Sequence, residues 1–163
     1  MKKNIYLFVS FLIISSSLPA QVSITAQSTF GGVDFDVPAD IVNAPDGGYY
    51  VLNNVNSPFP SGNINETGFG GGDLLLVKYD VGHNVVWQKC YGGSGGEGST
   101  SLKLIGNELF LIGTSDSPNS GNKTAINFGG FDIWVIKTDL NGNIIWAWPE
   151  DYLVYGLSRP ENG

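Results

Sequence analysis

Phe69-Gly70-Gly71-Gly72-Asp73-Leu74-Leu75-Leu76-Val77-Lys78-Tyr79-Asp80 returns later in the chain as Phe128-Gly129-Gly130-Phe131-Asp132-Ile133-Trp134-Val135-Ile136-Lys137-Thr138-Asp139. The register continues without a gap from Asn84-Val85-Val86-Trp87 to Asn143-Ile144-Ile145-Trp146. Upstream, Ser61-Gly62-Asn63 answers to Ser120-Gly121-Asn122, and Thr29-Phe30-Gly31-Gly32 answers to Cys90-Tyr91-Gly92-Gly93. A period of about 60 residues marks a supersecondary unit that cannot bury its apolar face alone and must stack on its neighbours. A third start is visible where residues 151–163 can be laid on residues 36–48, with Leu157 on Val42 and Pro160 on Pro45. The junction before it is irregular, because about five residues are missing after Trp146 relative to the stretch after Trp87.

Each complete unit divides into four short strands, expected at residues 40–43, 49–55, 73–79 and 84–91, with counterparts one period later. Pro45-Asp46-Gly47-Gly48 has turn chemistry. Asn141-Gly142 is the kind of pair that accepts positive φ in a two-residue hairpin, so strands three and four should be an antiparallel hairpin. Leu74-Leu75-Leu76-Val77 and Ile133-Trp134-Val135-Ile136 are continuous apolar runs, which predicts burial on both faces. An isolated antiparallel sheet would keep one face wet. A four-stranded sheet held between two similar sheets fits better, and that is the position of a propeller blade. No window carries helical periodicity behind a capped start, and β-branched or aromatic residues fill the apolar runs.

The expected fold class is therefore all-β, a partial β-propeller of four-stranded antiparallel blades with two complete units and a truncated third. The expected divisions are a signal peptide over 1–20, a lead-in over 21–28, unit 1 over 29–89, unit 2 over 90–148 and the start of unit 3 over 149–163. A closed propeller needs about four to eight blades. An incomplete piece of a longer protein is the preferred explanation, ahead of a short form that assembles with other copies and of two sheets that merely resemble blades.

Met1-Lys2-Lys3-Asn4 is basic, residues 5–14 are apolar, and Ser15-Ser16-Ser17-Leu18-Pro19-Ala20 follows, which is the pattern of a secretory signal peptide cleaved after Ala20. The apolar run is too short for a membrane span, which takes roughly 20 residues. The only cysteine, Cys90, is far from any lipoprotein processing site and cannot form an internal disulfide. Without Lys2 and Lys3 the chain carries six Lys+Arg against fifteen Asp+Glu, a formal charge near −9. Such a surface repels phosphate backbones and anionic lipids, which argues against nucleic acid as a partner and against membrane insertion after cleavage. Its 23 glycines are about twice the usual share and fit many tight turns between short strands.

The pattern Gly-Gly-Tyr-x-Val, then Gly-Gly-x-Asp-x-x-x-Val-Lys-x-Asp, then Asn-x-x-Trp-x-Lys-x-Tyr-Gly-Gly-Ser resembles the tandem repeats of secreted and cell-surface propeller-like proteins of Bacteroidota. The resemblance covers roughly residues 28–163. It implies a large, many-bladed protein, secreted or held at the cell surface, with the periplasm as the alternative location. The element from Asp139 to Trp146 is also similar to the tryptophan-docking repeats of quinoprotein propellers.

Individual motifs have plain structural readings. Asp139-x-Asn141-x-Asn143, with Glu150 at the twelfth position, imitates a calcium loop, but Ile144 stands where that loop needs glycine, so a hairpin turn is preferred. Asp36, Glu97 and Asp151 begin successive units, and Asp73 and Asp132 precede the third strands. Acids that recur in this way cap turns by accepting backbone N–H groups. Trp87 and Trp146 suit packing between blades. His83 is the only histidine and falls in a turn; with Cys90 on a strand it makes neither a zinc set nor a triad. Cys90 is expected as a small buried apolar thiol. Gly92-Gly93-Ser94-Gly95-Gly96 has no lysine after it and reads as a turn. Asn65-Glu66-Thr67 and Asn122-Lys123-Thr124 are formal glycosylation acceptors, relevant only in a eukaryotic host. No catalytic, cofactor-binding or metal-binding residue is assigned, and no cofactor is expected. The functional expectation is an exported non-catalytic scaffold or binding module, with the loops at 56–70 and 115–128 as its contact surface. Its expected partners are a protein or glycan ligand, and further blades or other copies of itself to complete the ring. The alternative is the propeller portion of a secreted enzyme, quinoprotein-like or a hydrolase, whose active residues lie outside this chain.

Overall fold

A computed structural model describes Ile24, residues 27–56 and residues 60–148. The expected signal peptide at 1–20, Glu150, Asp151 and the expected third repeat start lie outside the described residues. Those residues form eight strands and no helix: β1 Asp36–Asn43, β2 Tyr49–Val55, β3 Asp73–Tyr79, β4 Val85–Tyr91, β5 Glu97–Ile105, β6 Glu108–Ser115, β7 Asp132–Asp139 and β8 Ile144–Trp148. They pair as two antiparallel four-stranded sheets in sequence order, sheet 1 from β1 to β4 and sheet 2 from β5 to β8. β1 is longer than the sequence implies, because it continues through Pro38 by a bulge between Pro38 and Asp40. The equivalent bulge in β5 lies between Ser99 and Ser101.

The turn at Asn141-Gly142 differs from the expected two-residue hairpin. Asp139 N–H bonds to the Asn143 carbonyl and Gly142 N–H to the Asp139 carbonyl, so Leu140, Asn141 and Gly142 together form the loop. Only Gly142 has positive φ, at 75°. In the matching turn of sheet 1 that position falls to His83, the one non-glycine with positive φ among the described residues, at 64°.

The two sheets pack face to face through one core. Tyr50, Leu52, Leu74 and Leu76 of sheet 1 meet Leu109, Leu111, Trp134 and Ile136 of sheet 2, all buried. Full burial of each such aliphatic side chain contributes about 1.5–3 kcal/mol. A second cluster on the far face of sheet 1 gathers Val55, Ile64, Leu75, Val77 and Tyr79, with Phe30 laid against it. β3 is thus buried on both faces along its whole length, as its apolar run implies. β7 is not. Trp134, Ile136 and Thr138 point into the shared core, while Ile133 is 61% exposed, because no sheet among the described residues covers the outer face of sheet 2.

Polar contacts register the two sheets at their inner edge. The Asp40 carboxylate accepts the Leu102 N–H at 2.8 Å and the Lys103 ammonium at 3.1 Å, and Asn54 Oδ1 accepts both the N–H and the hydroxyl of Ser99. Tyr50 and Tyr91 each donate a hydroxyl across to the turn of sheet 2, to the carbonyls of Leu140 and Gly142 at 3.0 and 2.7 Å.

At the opposite end a clasp joins the sheets. Asn122 Oδ1 accepts the Gly92 N–H at 2.9 Å, its Nδ2 donates to the Cys90 carbonyl at 2.8 Å, and its own N–H bonds to the Gly92 carbonyl at 3.1 Å. Asn63 makes the same three bonds to Gly31 and Thr29. The strand end 90–92 is therefore seated in the loop of sheet 2 as the lead-in 29–31 is seated in the loop of sheet 1. The preceding Gly121 has φ of +61°, and a Cβ there would strike the Gly92 carbonyl oxygen, which explains the repeated Ser-Gly-Asn. Asn122→Ala strips two partly buried backbone groups of their partners and is expected to cost about 2–3 kcal/mol in urea unfolding at unchanged m-value. A loss below about 0.5 kcal/mol would show the clasp to be incidental.

Candidate functional site

The molecule has two unlike ends. One carries only short turns, at 44–48, 80–84, 106–107 and 140–143; the other carries the lead-in 29–35, the link 92–96 and, among the described residues, the longer stretches 60–72 and 116–131. This follows from the antiparallel pairing in sequence order, which places successive connections at alternate ends.

At the long-loop end the recurring acids are committed to backbone. Asp36 accepts the Gly32 N–H, Glu97 the Gly93 N–H, Asp73 the Phe69 N–H and Asp132 the Phe128 N–H. At the short-turn end Asp80 accepts the N–H groups of Gly82 and Asn84 at 2.8 Å, and Asp139 those of Asn141 and Asn143 at 2.8 and 2.9 Å. The calcium-like spacing at Asp139 thus forms a capped hairpin turn. Asp73 is the most deeply buried of these acids, with Glu97 buried beside it. It is almost wholly enclosed, its Oδ1 has no partner, and both it and Glu97 crowd the position a Cβ of Gly92 would take. Desolvation, with a smaller contribution from the Glu97 charge, pushes its carboxyl up to about 6.

The remaining motif residues fall into structural roles. Trp87 packs at the margin of the inter-sheet core beside Tyr50, with ring centroids 5.8 Å apart, and against the Gly142 turn. Trp146 sits on the open face of sheet 2 beside Phe110. His83 accepts or donates a 3.2 Å bond with the Tyr49 hydroxyl. Cys90 is buried, and desolvation drives its thiol well above the ordinary value. Asn122 spends its amide in the clasp, which closes that glycosylation sequon to a sugar. No group of three or more His, Cys, Asp or Glu gathers among the described residues. No helix among them is long and apolar enough to cross a membrane.

The features that do not repeat were missed by reading the sequence for its repeat. Phe35 stands where the second unit has Gly96, Asp34 where it has Gly95, and Phe131 where the first has Gly72. Phe35 is 83% exposed and Phe131 64%. Phe35 and Asp34 line an open groove of about 570 Å³ together with Phe30, Gly32 and Asn63. The groove falls in the size range of small-ligand sites. Lys123, in the place of Ile64, is buried and donates to the carbonyls of Ser117 and Ala125 at 2.8 Å each, tying its loop together.

Two measurements follow. The carboxyl of Asp73 is raised in the folded chain, so its contribution to stability is full below about pH 4 and is lost as pH rises through about 6. Asp73→Asn should therefore raise stability at pH 7.5 by about 1–3 kcal/mol and leave it unchanged near pH 4; an equal loss at both pH values would contradict this. His83→Gly relieves a left-handed backbone and should gain about 0.5–1 kcal/mol in thermal unfolding, net of the lost Tyr49 bond. No protein-family model matches the chain, and no curated protein matches it.

Proposed function

We propose that this chain is an exported, non-catalytic repeat module of β-propeller type, and that it binds a glycan or protein ligand through its long-loop end. The observation that carries the reading is the groove at Phe35. In a repeat whose common residues are occupied with turns, clasps and core, side chains that break the pattern at an exposed edge are free to serve a ligand. There an exposed phenyl ring and an exposed carboxylate, those of Phe35 and Asp34, replace the bare Gly96 and Gly95 of the second unit.

That chemistry suits a neutral sugar. The apolar face of a pyranose stacks on Phe35, and its hydroxyls donate to Asp34. The acidic surface disfavours phosphorylated and sulfated ligands. A scaffold role in an envelope or extracellular assembly is compatible with the same surface, since both require rigid sheets that hold loops in place. Export through the N-terminal signal and a position at the cell surface complete the proposal.

Binding to an array of neutral oligosaccharides is the direct test. The expected result is at least one class bound, with Phe35→Ala and Asp34→Ala each weakening it about tenfold or more, as loss of a central aromatic or charged contact does. Both side chains are exposed, so the fold survives substitution. Binding indifferent to both substitutions would remove the groove from the proposal, and capture of a protein in place of a sugar would select the other ligand class.

A further inference from the structure

The outer face of sheet 2 repeats the face that sheet 1 presses against it. In sheet 1, Tyr50 stands opposite Lys78, which stands opposite Trp87; in sheet 2, Phe110 stands opposite Lys137, which stands opposite Trp146. The internal geometry is similar in both, with the ring pair tilted at 49° in the first and edge-on at 74° in the second. The Lys78 ammonium lies 5.0 Å from the Tyr50 ring, with Trp87 5.8 Å from it, and the Lys137 ammonium lies 5.7 Å from the Phe110 ring, with Trp146 at 6.2 Å. Beside the first set, Leu52, Leu74 and Leu76 are fully buried under sheet 2. Their counterparts by register, Ile112, Ile133 and Val135, lie half-buried or exposed.

The complementary surface is also present. The residues of sheet 2 that receive sheet 1 are Leu102, Leu109 and Leu111, and by register their counterparts in sheet 1 are Ile41, Tyr49 and Val51. Ile41 is 59% exposed, and Tyr49 and Val51 line an open recess of about 230 Å³. Phe30 lies edge-on to Tyr79 in that recess, in the place that Tyr91 takes at the internal junction.

We infer that a second copy of the chain docks head to tail, its Ile41, Tyr49 and Val51 face covering the Phe110, Ile133 and Val135 face of the first. This rests on the repeat-module reading above and extends it with a partner. The junction between sheets 1 and 2 is the template, since the same constellation of lysine, aromatic ring and tryptophan is already seated once within the chain. The two faces are different, so the contact is heterologous and propagates until a ring closes. With two sheets among the described residues of each copy, a ring of about four to eight sheets closes at about two to four copies.

The contact between copies is weaker than its template. Ser101 stands where Asp40 would supply a carboxylate, and Pro38, which has no N–H, stands where Ser99 receives Asn54. What remains is apolar, so the assembly dissociates on dilution.

Sedimentation velocity of the chain lacking residues 1–20, over a series of concentrations, tests this. The expected result is a monomer that passes to a discrete dimer-to-tetramer species as concentration rises. Ile133→Lys blocks one face and Ile41→Asp the other; each variant alone stays monomeric, and an equimolar mixture gives a one-to-one dimer that grows no further. If either variant loses its β-sheet circular dichroism, Ile133→Thr and Ile41→Thr replace the pair, each weakening self-association about tenfold. Wild-type chain that stays monomeric to its solubility limit overturns the inference, as does a mixture that fails to pair. A variant that still self-associates would point to a two-fold contact and overturn it too. Glycan binding through Phe35, measured on the monomeric variants, is read separately, so loss of self-association alone leaves the proposed ligand site standing.

Discussion

Two sheets that each carry apolar side chains on both faces can cover only one face apiece by packing on each other, and that inequality governs this structure. Leu52, Leu74 and Leu76 find their cover in sheet 2, and Leu109, Leu111 and Ile136 find theirs in sheet 1. The two outer faces meet different fates. On sheet 1, Phe30 and Ile64 pack over Leu75 and Val77, while Ile41 beside them stays exposed. On sheet 2, the same alternation leaves Ile133 in solvent. An apolar run is therefore a statement about chemistry, and its burial depends on which neighbour is present.

Polar groups give the apolar contact its register. A flat sheet interface can slide, because hydrophobic burial is non-directional. Asp40 and Asn54 fix it by inserting acceptors at the β5 bulge, where the irregular ladder frees N–H groups that need partners. Asn122 fixes the other end by reading both the N–H and the carbonyl of one neighbouring residue. The bulges and the clasp recur in both units, and the bond from Asp40 to Leu102 is one point where the units differ. Burial of these polar groups without partners would cost more than the bonds contribute when made, so the clasp acts as a condition on correct packing.

Much of the fold was legible in the sequence. The repeat gave the strand positions within a few residues, because each strand is bounded by glycine-rich turns and filled with β-branched or aromatic residues. The capping role of Asp36, Glu97, Asp73 and Asp132 was legible as well, since an acid that recurs at the same place in each unit has the same backbone task in each. What could not be seen was one-sided. Ile133 and Leu74 are equivalent in sequence, yet one is exposed and the other buried, and nothing local distinguishes them. The length of β1 through Pro38 depends on a bulge, and the three-residue turn before Asn143 depends on which carbonyl the Gly142 N–H reaches. Both are matters of hydrogen-bond register that composition does not record.

The candidate ligand groove escaped for a related reason. A search for repetition treats Phe35, Asp34 and Phe131 as noise in the comparison of units, when their departure from glycine is the signal. Structural residues in a repeat protein are those that must be the same in each unit, because each unit solves the same packing problem. A ligand is bound once, at one place, and needs no copy. The mismatch at Phe35 against Gly96 is informative because the second loop carries no ring or charge of its own there; what stands beside it, Phe131 and Asp116, comes from the 116–131 connection. The division of labour between the two units is then physical: both supply the scaffold, and in the first the lead-in itself brings the exposed Phe35 and Asp34 to an open groove.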